Sequence, residues 1–461
     1  MGETIASVGE TIEAAAERIA AAGPSPARVA RDPVNRPAIR DWLAALGDDN
    51  PVYERDGVAP PAMIQVWTMP GLSGLRDPAD PLRAMSAVLD EAGFTSVVAT
   101  DCAQTYHRYL REGETVAVSS RLTEVVGPKR TALGEGWFFT TESTWVVGDE
   151  PVAEMRFRIL KFRPGTARPA APAPAPIRPV IGPDTAFFWD GAEVGELRVQ
   201  RCGDCGALRH PPGPACPRCG ALKPEYAVVS GRGRIHSYVV HHHPPLPGRR
   251  SPVVVALVDL DEGVRMVGEL LGVRPDEVRI GAEVRAEFAD GLPAWRPAGQ
   301  VVLPPFSLEV TPTVVISTAL ATRDFQDVHH DRDAAVRRGG KDIFLNILTT
   351  TGLVQRYVTD WAGPSAVLSG IAIRLGAPCY PGDTLTFTGS ARGGSARDGS
   401  ARDGSGRDGL GRDGSGRDGS GRDGSGRGGS GRGGSGRGGE VAVSGRTAAG
   451  EHVAGTVAVA S

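Results

Sequence analysis

The chain lacks features that would assign it to several large classes of protein. No apolar run reaches the roughly 20 residues of a membrane-spanning helix, and no secretory signal is recognisable, so we expect no membrane segment. The formal net charge of −3 argues against a dominant surface for a polyanion. Near the start, the segment Thr11–Ala22 is predicted to form a short surface helix.

Cysteine is scarce, with 6 in 461 residues, and four of them form two Cys-x2-Cys pairs: Cys202 with Cys205, and Cys216 with Cys219. Two such pairs can surround one tetrahedral Zn²⁺ ion, and four protein ligands leave no position for water or substrate. We therefore expect structural zinc and a reducing cytoplasm; free or disulfide-bonded cysteines are the alternative. Cys102 and Cys379 belong to no motif and are predicted to be buried small residues.

The most informative motif is Thr322–His330, in which Asp324 and His329 lie five residues apart on an irregular connection. Adding water across an activated double bond requires one group that takes a proton from water and one that delivers a proton to carbon. Asp324 and His329 have the chemistry for both roles. The alternative is that Asp324 caps a turn and His329 is a polar surface residue.

An earlier segment, Gly47–Tyr53, repeats this pattern with Asp48 as the acid and Tyr53 in place of the histidine. The phenol of tyrosine has an unperturbed pKa of about 10, so it cannot replace an imidazole near neutral pH. One copy is therefore chemically complete and the other is not. This asymmetry suggests an enzyme of two related halves, only one of which carries out the chemistry.

Both copies are followed by the same order of elements. Apolar residues recur at helical spacing in Asp342–Val358 and predict a buried helix, whose free backbone N–H groups near its start could hold a thioester carbonyl. Alternating residues then predict strands at Thr384–Thr388, Glu440–Val443 and Gly455–Val459, and after the first copy at Thr115–Ser119, Trp137–Thr140 and Met155–Ile159. The sequence therefore indicates an internal repeat of domain size.

The segment between the copies has the pattern of a small β-barrel. Strands are predicted at Gly233–Val240, Pro252–Val258, Met266–Leu270 and Glu283–Phe288, after an aromatic helical piece at Ala186–Gly191. Three adjacent histidines, 241–243, are predicted to lie in a loop at a strand end, because neighbouring strand residues point to opposite faces and do not converge on a metal ion. A basic groove with interleaved aromatics, which would indicate nucleic-acid binding, is not evident.

Composition marks the boundaries between these parts. The Pro/Ala stretch 168–176 is predicted to be a stiff, extended linker, and 297–305 a shorter connection. From Gly389 to Gly439 the chain repeats Gly-Arg-Asp-Gly-Ser and then Gly-Arg-Gly-Gly-Ser, which cannot bury a core, so we expect a disordered insertion between two strands. We favour a neutral repeat expansion there over a nucleic-acid-binding Arg-Gly segment.

Asp48–Tyr53 and Asp324–His329 resemble the Asp-x-Asn-Pro-(Ile/Val)-His signature of MaoC-like, (R)-specific enoyl-CoA hydratases. The second copy departs from it at Gln326 and Asp327, where Asn-Pro is usual. The cysteine pairs with the barrel resemble the zinc-ribbon and OB-fold domains found beside thiolases. With the run Ala321–Arg332, the order of parts resembles the two subunits of an actinobacterial steroid side-chain enoyl-CoA hydratase joined end to end.

The resemblance implies an α+β protein, with two hot-dog domains flanking a rubredoxin-like zinc ribbon and an OB-fold β-barrel. The expected limits are 1–165 for the degenerate hot dog, 166–183 for the linker, 184–297 for the zinc ribbon and OB fold, and 305–461 for the catalytic hot dog with its insertion at 389–439.

The resemblance also implies the function. A 2-enoyl-CoA thioester, with a bulky steroid side-chain acyl group, would be hydrated to a 3-hydroxyacyl-CoA by Asp324 and His329, with the backbone amide of Asn346 at the oxyanion. The middle domain would recruit a thiolase-like aldolase, and we expect a homo-oligomer. A non-catalytic acyl-CoA- or protein-binding scaffold is one alternative. A nucleic-acid-binding OB-fold protein is another, which the residues disfavour.

Overall fold

Strand-forming residues at both ends of the chain combine into one antiparallel sheet of ten strands. The structure, a computed structural model, describes residues 2–72, 74, 76–163, 165–166, 179–244, 246–249, 251–392 and 439–460. We call residues 2–163 the first half, 179–297 the middle part and 300–460 the second half. The predicted Pro/Ala linker at 168–176 and nearly all of the Gly/Arg repeat lie outside the described residues.

The first half begins with helices and ends with long strands. Its elements are α1 (Gly2–Ala21), β1 (Arg28–Val29), α2 (Arg36–Leu46), α3 (Val52–Arg55), the 3₁₀ helix η1 (Pro61–Thr68), α4 (Pro81–Glu91), β2 (Ser96–Tyr106), β3 (Val116–Thr131), β4 (Gly134–Val147) and β5 (Glu150–Phe162). Ile12 of α1 is 1% exposed and shares an apolar cluster with Met85 and Leu89 of α4. The predicted surface helix is therefore present, but it is longer than predicted and packs one apolar face against α4.

The middle part contains a small three-stranded sheet and a closed barrel. Its elements are α5 (Ala186–Glu193), β6 (Arg198–Cys202), β7 (Leu208–Arg209), β8 (Pro224–Val228), β9 (Arg232–His241), β10 (Val253–Leu260), β11 (Arg265–Leu270), η2 (Pro275–Glu277), β12 (Glu283–Ala289) and β13 (Leu292–Pro297). Strands β7-β6-β8 form the sheet, and β10-β11-β13-β12-β9 close into the barrel. Apolar residues of both pack into one core.

The second half repeats the plan of the first. Its elements are β14 (Gln300–Glu309), α6 (Pro312–Ala321), η3 (Asp327–His329), α7 (Arg332–Arg337), α8 (Ile347–Ala362), β15 (Leu368–Leu375), β16 (Thr384–Arg392), β17 (Gly439–Thr447) and β18 (Gly450–Val459). The Gly/Arg repeat joins β16 to β17, which pair antiparallel up to Ala391 and Val441.

The ten-stranded sheet reveals the internal repeat. Its order is β1-β3-β4-β5-β2-β15-β18-β17-β16-β14. Counted from the outer edge of the sheet to its centre, each half contributes its first, third, fourth, fifth and second strands. The halves meet where β2 and β15 pair antiparallel, from Asp101 with Arg374 to Thr105 with Gly370. Two five-stranded hot-dog sheets thus form one continuous surface.

Helix α8 crosses the interior between the halves. Its residues are almost all buried, because apolar side chains and threonines occupy every face of its first three turns. At Gly352 the helix approaches α2 so closely that an added Cβ would lie 2.5 Å from Leu46 and 2.7 Å from Trp42. A single core therefore contains residues of both halves.

The predicted fold class is confirmed: helices and strands are mixed, two hot-dog sheets flank the middle part, and the barrel has five strands. Strand β14, which opens the second hot dog, starts at Gln300. Among the described residues, we find no helix of the length and apolarity needed to cross a bilayer.

Candidate active site

Asp324 is held by the turn that ends α6. The N–H of Arg323 donates to the carbonyl of Leu320, and the N–H of Asp324 donates to that of Ala319 at 3.0 Å. Arg323 has φ of 55°, the left-handed conformation that such a helix end requires. Asp324 follows this turn directly and is 5% exposed.

His329 lies at the end of η3 and faces the same place. Its Nδ1 is 2.8 Å from the carbonyl oxygen of Phe344, which assigns the ring proton to Nδ1 and leaves a lone pair on Nε2. Nε2 is 3.6 Å from Oδ2 of Asp324, and His329 is 6% exposed. The Phe344 ring packs edge-on against the imidazole at 4.9 Å between centroids. The sequence motif therefore becomes a close, buried acid–imidazole pair.

The start of α8 borders this pair. The Asn346 side chain caps the helix, because its Oδ1 accepts from the N–H of Thr349 at 2.7 Å and its Nδ2 donates to the Thr322 hydroxyl at 2.8 Å. The side chain is thereby held in the helix cap. The backbone N–H groups at the helix start have no intrahelical partner and could face an incoming oxygen.

A second buried imidazole, that of His452 on β18, also borders the start of α8. Its Nδ1 is 2.8 Å from the carbonyl of Ala377, and its Nε2 is 3.0 Å from the hydroxyl of Thr350. The Thr350 hydroxyl also lies 3.1 Å from the carbonyl of Asn346. Burial lowers the pKa of His452, which favours the neutral ring.

These groups open into a cavity of about 1230 Å³. Asp324, His329, Asn346 and His452 line one region of it. Strands β2, β4 and β5 of the first half line another region, with apolar side chains including Val98, Phe138, Phe157, Ile159 and Leu160. The volume exceeds the range of about 300–1,000 Å³ that is common for small-molecule pockets. Basic residues at its border include Lys129, Arg130 and Arg374.

The first copy of the motif is folded in the same way but is not part of this cavity. Gly47, with φ of 63°, occupies the position of Arg323, and the N–H of Asp48 donates to the carbonyl of Leu43 at 2.9 Å. Asp48 and Tyr53 are buried, and neither lines the cavity. Burial raises the pKa of the Asp48 carboxyl and holds that of the Tyr53 phenol well above its ordinary value.

The four cysteines predicted to bind zinc meet at one point. Their sulfur atoms all lie within 4.8 Å of one another, with 3.6 Å between Cys202 and Cys219 and 3.7 Å between Cys205 and Cys216. A tetrahedral site with Zn–S bonds of about 2.3 Å separates its sulfur atoms by about 3.8 Å, so the cluster fits structural zinc. Backbone N–H groups of Arg218 and Cys219 lower the pKa of the Cys216 thiol to about 6.

Other predictions about individual residues agree with the structure. Cys102 and Cys379 are buried and free. His241 ends β9, and the two histidines that follow lie in the loop.

Sequence reasoning missed His452, Thr350 and Gln355. His452 follows the Gly/Arg repeat in a strand with no motif of its own, so no sequence signal connected it to the site. Gln355 carried a weak signal, because it is a polar residue inside an apolar helix and such a residue needs a buried partner.

Comparisons with known proteins agree with this architecture. Residues 23–155 match the family described as "FAS1-like, dehydratase domain region", 189–225 match "ChsH2, rubredoxin-like zinc ribbon domain", and 226–289 match "ChsH2, C-terminal OB-fold domain". The predictions of a dehydratase-type hot dog, a zinc ribbon, an OB fold and structural zinc are thereby confirmed.

Two subunits of one enzyme from Mycobacterium tuberculosis (strain ATCC 25618 / H37Rv) are similar to this chain, and they match segments of different length. The "3-oxo-4,17-pregnadiene-20-carboxyl-CoA hydratase alpha subunit" is 53% identical over 294 residues, which cover 60% of this chain and 94% of that protein. The beta subunit of the same name is 69% identical over 88 residues, covering 19% of this chain and 68% of that protein.

A solved structure, described as "Ltp2-ChsH2(DUF35) aldolase", is 45% identical and covers 26% of this chain and 99% of that one, with a TM-score of 0.25.

The two subunit relatives are similar along most of their own lengths, and the predicted two-subunit form is confirmed. The chain belongs to the family of the 3-oxo-4,17-pregnadiene-20-carboxyl-CoA hydratases, and it joins sequence related to the alpha and the beta subunit in one polypeptide.

Proposed function

We propose that the chain hydrates a 2-enoyl-CoA thioester with a bulky, steroid-type acyl group, and that Asp324 and His329 are its catalytic residues. The observation that carries this proposal is the convergence of the two side chains, 3.6 Å apart and both buried, at the border of a large cavity. A binding scaffold has no need of such a pair. The substrate class follows the names of the relatives in the same family.

In this reaction the hydroxyl of water bonds to C3 of the enoyl group, and a proton bonds to C2. Nε2 of His329 carries a lone pair because Nδ1 donates to Phe344, so Nε2 accepts the proton of the attacking water. The Asp324 carboxylate stabilises the imidazolium that forms. The pair then returns one proton to C2, which restores its charge and protonation.

Negative charge moves to the thioester oxygen as the C3–O bond forms. The free N–H groups at the start of α8, near Asn346, are suited to hold this oxygen, since the helix start also carries partial positive charge. The side chain of Asn346 is engaged in the helix cap, so we assign the role to the backbone.

The cavity supports a bulky acyl group for a structural reason. The second half fills its interior with the 16-residue helix α8, whereas η1, the first-half element that packs against α8, has 8 residues. This shorter element leaves part of the first half's sheet, including Phe157 and Ile159, open to the cavity. An acyl group larger than a linear chain has room there.

We further propose that the middle part recruits a thiolase-like aldolase, which would cleave the hydrated product. The solved ChsH2 complex, named as an aldolase, supports a partner of this kind. We also propose the domain limits 1–165 and 184–297, with the second hot dog starting at Gln300, the first residue of β14, instead of at 305. The same proposal includes a homo-oligomeric assembly and a reducing cytoplasm, which suits thiolate ligands.

The test is hydration of a panel of enoyl-CoA thioesters, from short linear to steroid-linked, by the parent protein and two variants. Asp324→Asn and His329→Ala should each lower turnover by about 10²–10⁴-fold, the usual worth of a placed proton-transfer group, with much less change in substrate binding. Loss of the enoyl thioester absorbance measures the rate.

The matched control is Asp48→Asn, which removes the equivalent carboxyl of the first copy and should leave hydration nearly unchanged. Near-parental rates in either second-half variant would refute the catalytic assignment. A loss in Asp48→Asn as large as that in Asp324→Asn would show that both halves take part in the chemistry.

A further inference from the structure

The first half keeps the geometry of the catalytic motif although it lacks the histidine. Asp48 and Tyr53 each precede their counterparts, Asp324 and His329, by 276 positions. The same helix-ending turn holds both acids. A helical element follows each motif: η1 in the first half and, after α7, α8 in the second. The start of α8 is where we place the amide that would bind the thioester oxygen.

The start of η1 is occupied by the side chain of Gln355, which comes from α8 of the second half and is 0% exposed. Its Oε1 accepts from the N–H of Ala62, the second residue of η1, at 2.9 Å. Its Nε2 donates to the hydroxyl of Tyr53 at 3.1 Å. The carboxamide thus bridges the amide at the helix start and the side chain that replaces histidine.

The bonding of Gln355 is that of a bound ligand. An amide carbonyl and a thioester carbonyl are both sp² oxygen acceptors, and Oε1 lies on a helix-start N–H, where an acyl carbonyl would be held in the other half. Tyr53 suits the amide end, because its hydroxyl oxygen accepts from Nε2. A neutral imidazole at position 53, with its lone pair directed at Nε2 of Gln355, would also accept this hydrogen bond. The site is therefore closed to other ligands by Gln355 itself and not by Tyr53 alone.

We propose that Tyr53 and the Ala62 N–H form a second carbonyl-binding site, specific for a primary carboxamide, that is permanently occupied in cis by Gln355. The site fastens the two halves together, because its walls belong to the first half and its ligand to the second. It also leaves one acyl-binding cavity per chain. The carboxamide specificity is independent of the hydratase function proposed above.

Gln355→Ala provides a direct test, since the atoms it removes correspond to one molecule of acetamide. We expect the variant to melt at a lower temperature than the parent and acetamide to restore about 2–4 °C of this loss when its concentration is tenfold above its dissociation constant. The parent and Gln355→Leu, whose isobutyl group fills the space, should show no such rise.

Two comparisons decide the outcome. Tyr53→Phe combined with Gln355→Ala removes the acceptor for the amide N–H and should lower the acetamide response, which supports the assigned contacts. An equal response of the parent and Gln355→Ala, or of Gln355→Ala and Gln355→Leu, would overturn the proposal.

A second measurement applies even when Gln355→Ala does not fold. Tyr53→His in the Asp324→Asn background restores an acid–imidazole pair to the first half while Gln355 remains in place. We expect hydration to stay at the Asp324→Asn level, because the site is filled. Recovered turnover would mean that a thioester enters the site, and would refute occupation by Gln355. Of the measurements in this subsection, only this one rests on the proposed function. A near-parental rate of the Asp324→Asn variant would show separately that the proposed function is wrong.

Discussion

Arg323 and Gly47 show how one turn can be built from different residues. Both are the left-handed residue after a helix, and each places an aspartate next in the chain. Glycine adopts this conformation freely, whereas a side chain costs about 1–2 kcal/mol. The strained residue lies beside the aspartate proposed to be catalytic, and the relaxed one beside the aspartate of the filled site. Strain of this kind is common at functional sites.

Asp48 should make stability depend on pH. Burial raises the pKa of its carboxyl in the folded protein above the ordinary value of 3.8. The folded state therefore holds the proton more tightly than the unfolded chain, so the stability that this group contributes is present below the unfolded pKa and is lost as pH rises through the folded pKa.

Asp48→Asn removes that ionisation. The free energy of unfolding of the variant, relative to the parent, should therefore increase as the pH rises from about 4 towards 7. Urea unfolding at several pH values measures it. A difference that stays constant with pH would show that Asp48 has the same pKa in the folded and unfolded states.

At the scale of the element, α8 serves both halves. Its start borders the acid–imidazole pair, its middle supplies Gln355 to the first half, and its close approach to α2 requires the glycine at position 352. A predicted buried helix is thereby confirmed, with bounds of Ile347–Ala362. The helix was predictable because its apolar spacing is local. Its contact with Tyr53, 302 positions away, was not.

We expect His452 to position the start of α8 through Thr350. Thr350→Val keeps the shape of the side chain but leaves Nε2 of His452 without a partner, and His452→Leu removes the other side of the contact. Each should lower kcat by about tenfold with a smaller change in KM, because the amides that face the thioester oxygen shift. Thr350→Ser should retain most activity.

The double variant distinguishes positioning from independent packing effects. When one residue acts through the other, the loss in kcat of the pair should be close to that of a single variant. If the fold-losses in kcat of the two single variants multiply in the double variant, Thr350 and His452 act independently, which would contradict the positioning role. Thermal unfolding of all four proteins supplies the control for general destabilisation.

At the scale of the whole molecule, the middle part lies between two halves that share one sheet and one core. Among the described residues, the polar contacts that join it to the second half include the Gln300 side chain with the carbonyl of Gly272 at 2.7 Å and an exposed ion pair between Arg392 and Glu277. Exposed ion pairs contribute little to stability. The middle part should therefore depend on its own core and its zinc.

Cys202→Ser or Cys216→Ser should abolish zinc binding and unfold the ribbon, since a four-thiolate site contributes directly to folding. The hot-dog halves should stay paired and hydration measurable. Elemental analysis reports the metal, with one zinc ion per chain expected in the parent, and proteolysis reports the unfolded segment. A fully folded ribbon without zinc would contradict the structural role.

Replacing 184–297 with a flexible Gly/Ser segment should abolish co-purification of the aldolase and keep hydration measurable. The parent and Cys202→Ser serve as reference proteins. Equal retention of the aldolase by the shortened chain would refute the docking role. Complete loss of hydration would mean that the middle part is needed to hold the halves together.

The sequence by itself determined the local features of this protein: four cysteines in a zinc spacing, the acid–imidazole motif and its tyrosine copy, and the strands and buried helix that follow. Each depends on residues close together in the chain or on a repeated pattern, and such signals survive without a structure. Resemblance then joined these features into two hot dogs and a barrel.

Only the tertiary structure decided which distant residues meet. The contact of the buried His452 with Thr350, the large cavity and the filling of the first site by Gln355 arise from the packing of segments about a hundred or more residues apart. These contacts form because two sheets share one core around α8. No local spacing encodes that arrangement, since it depends on the shape of the whole interior.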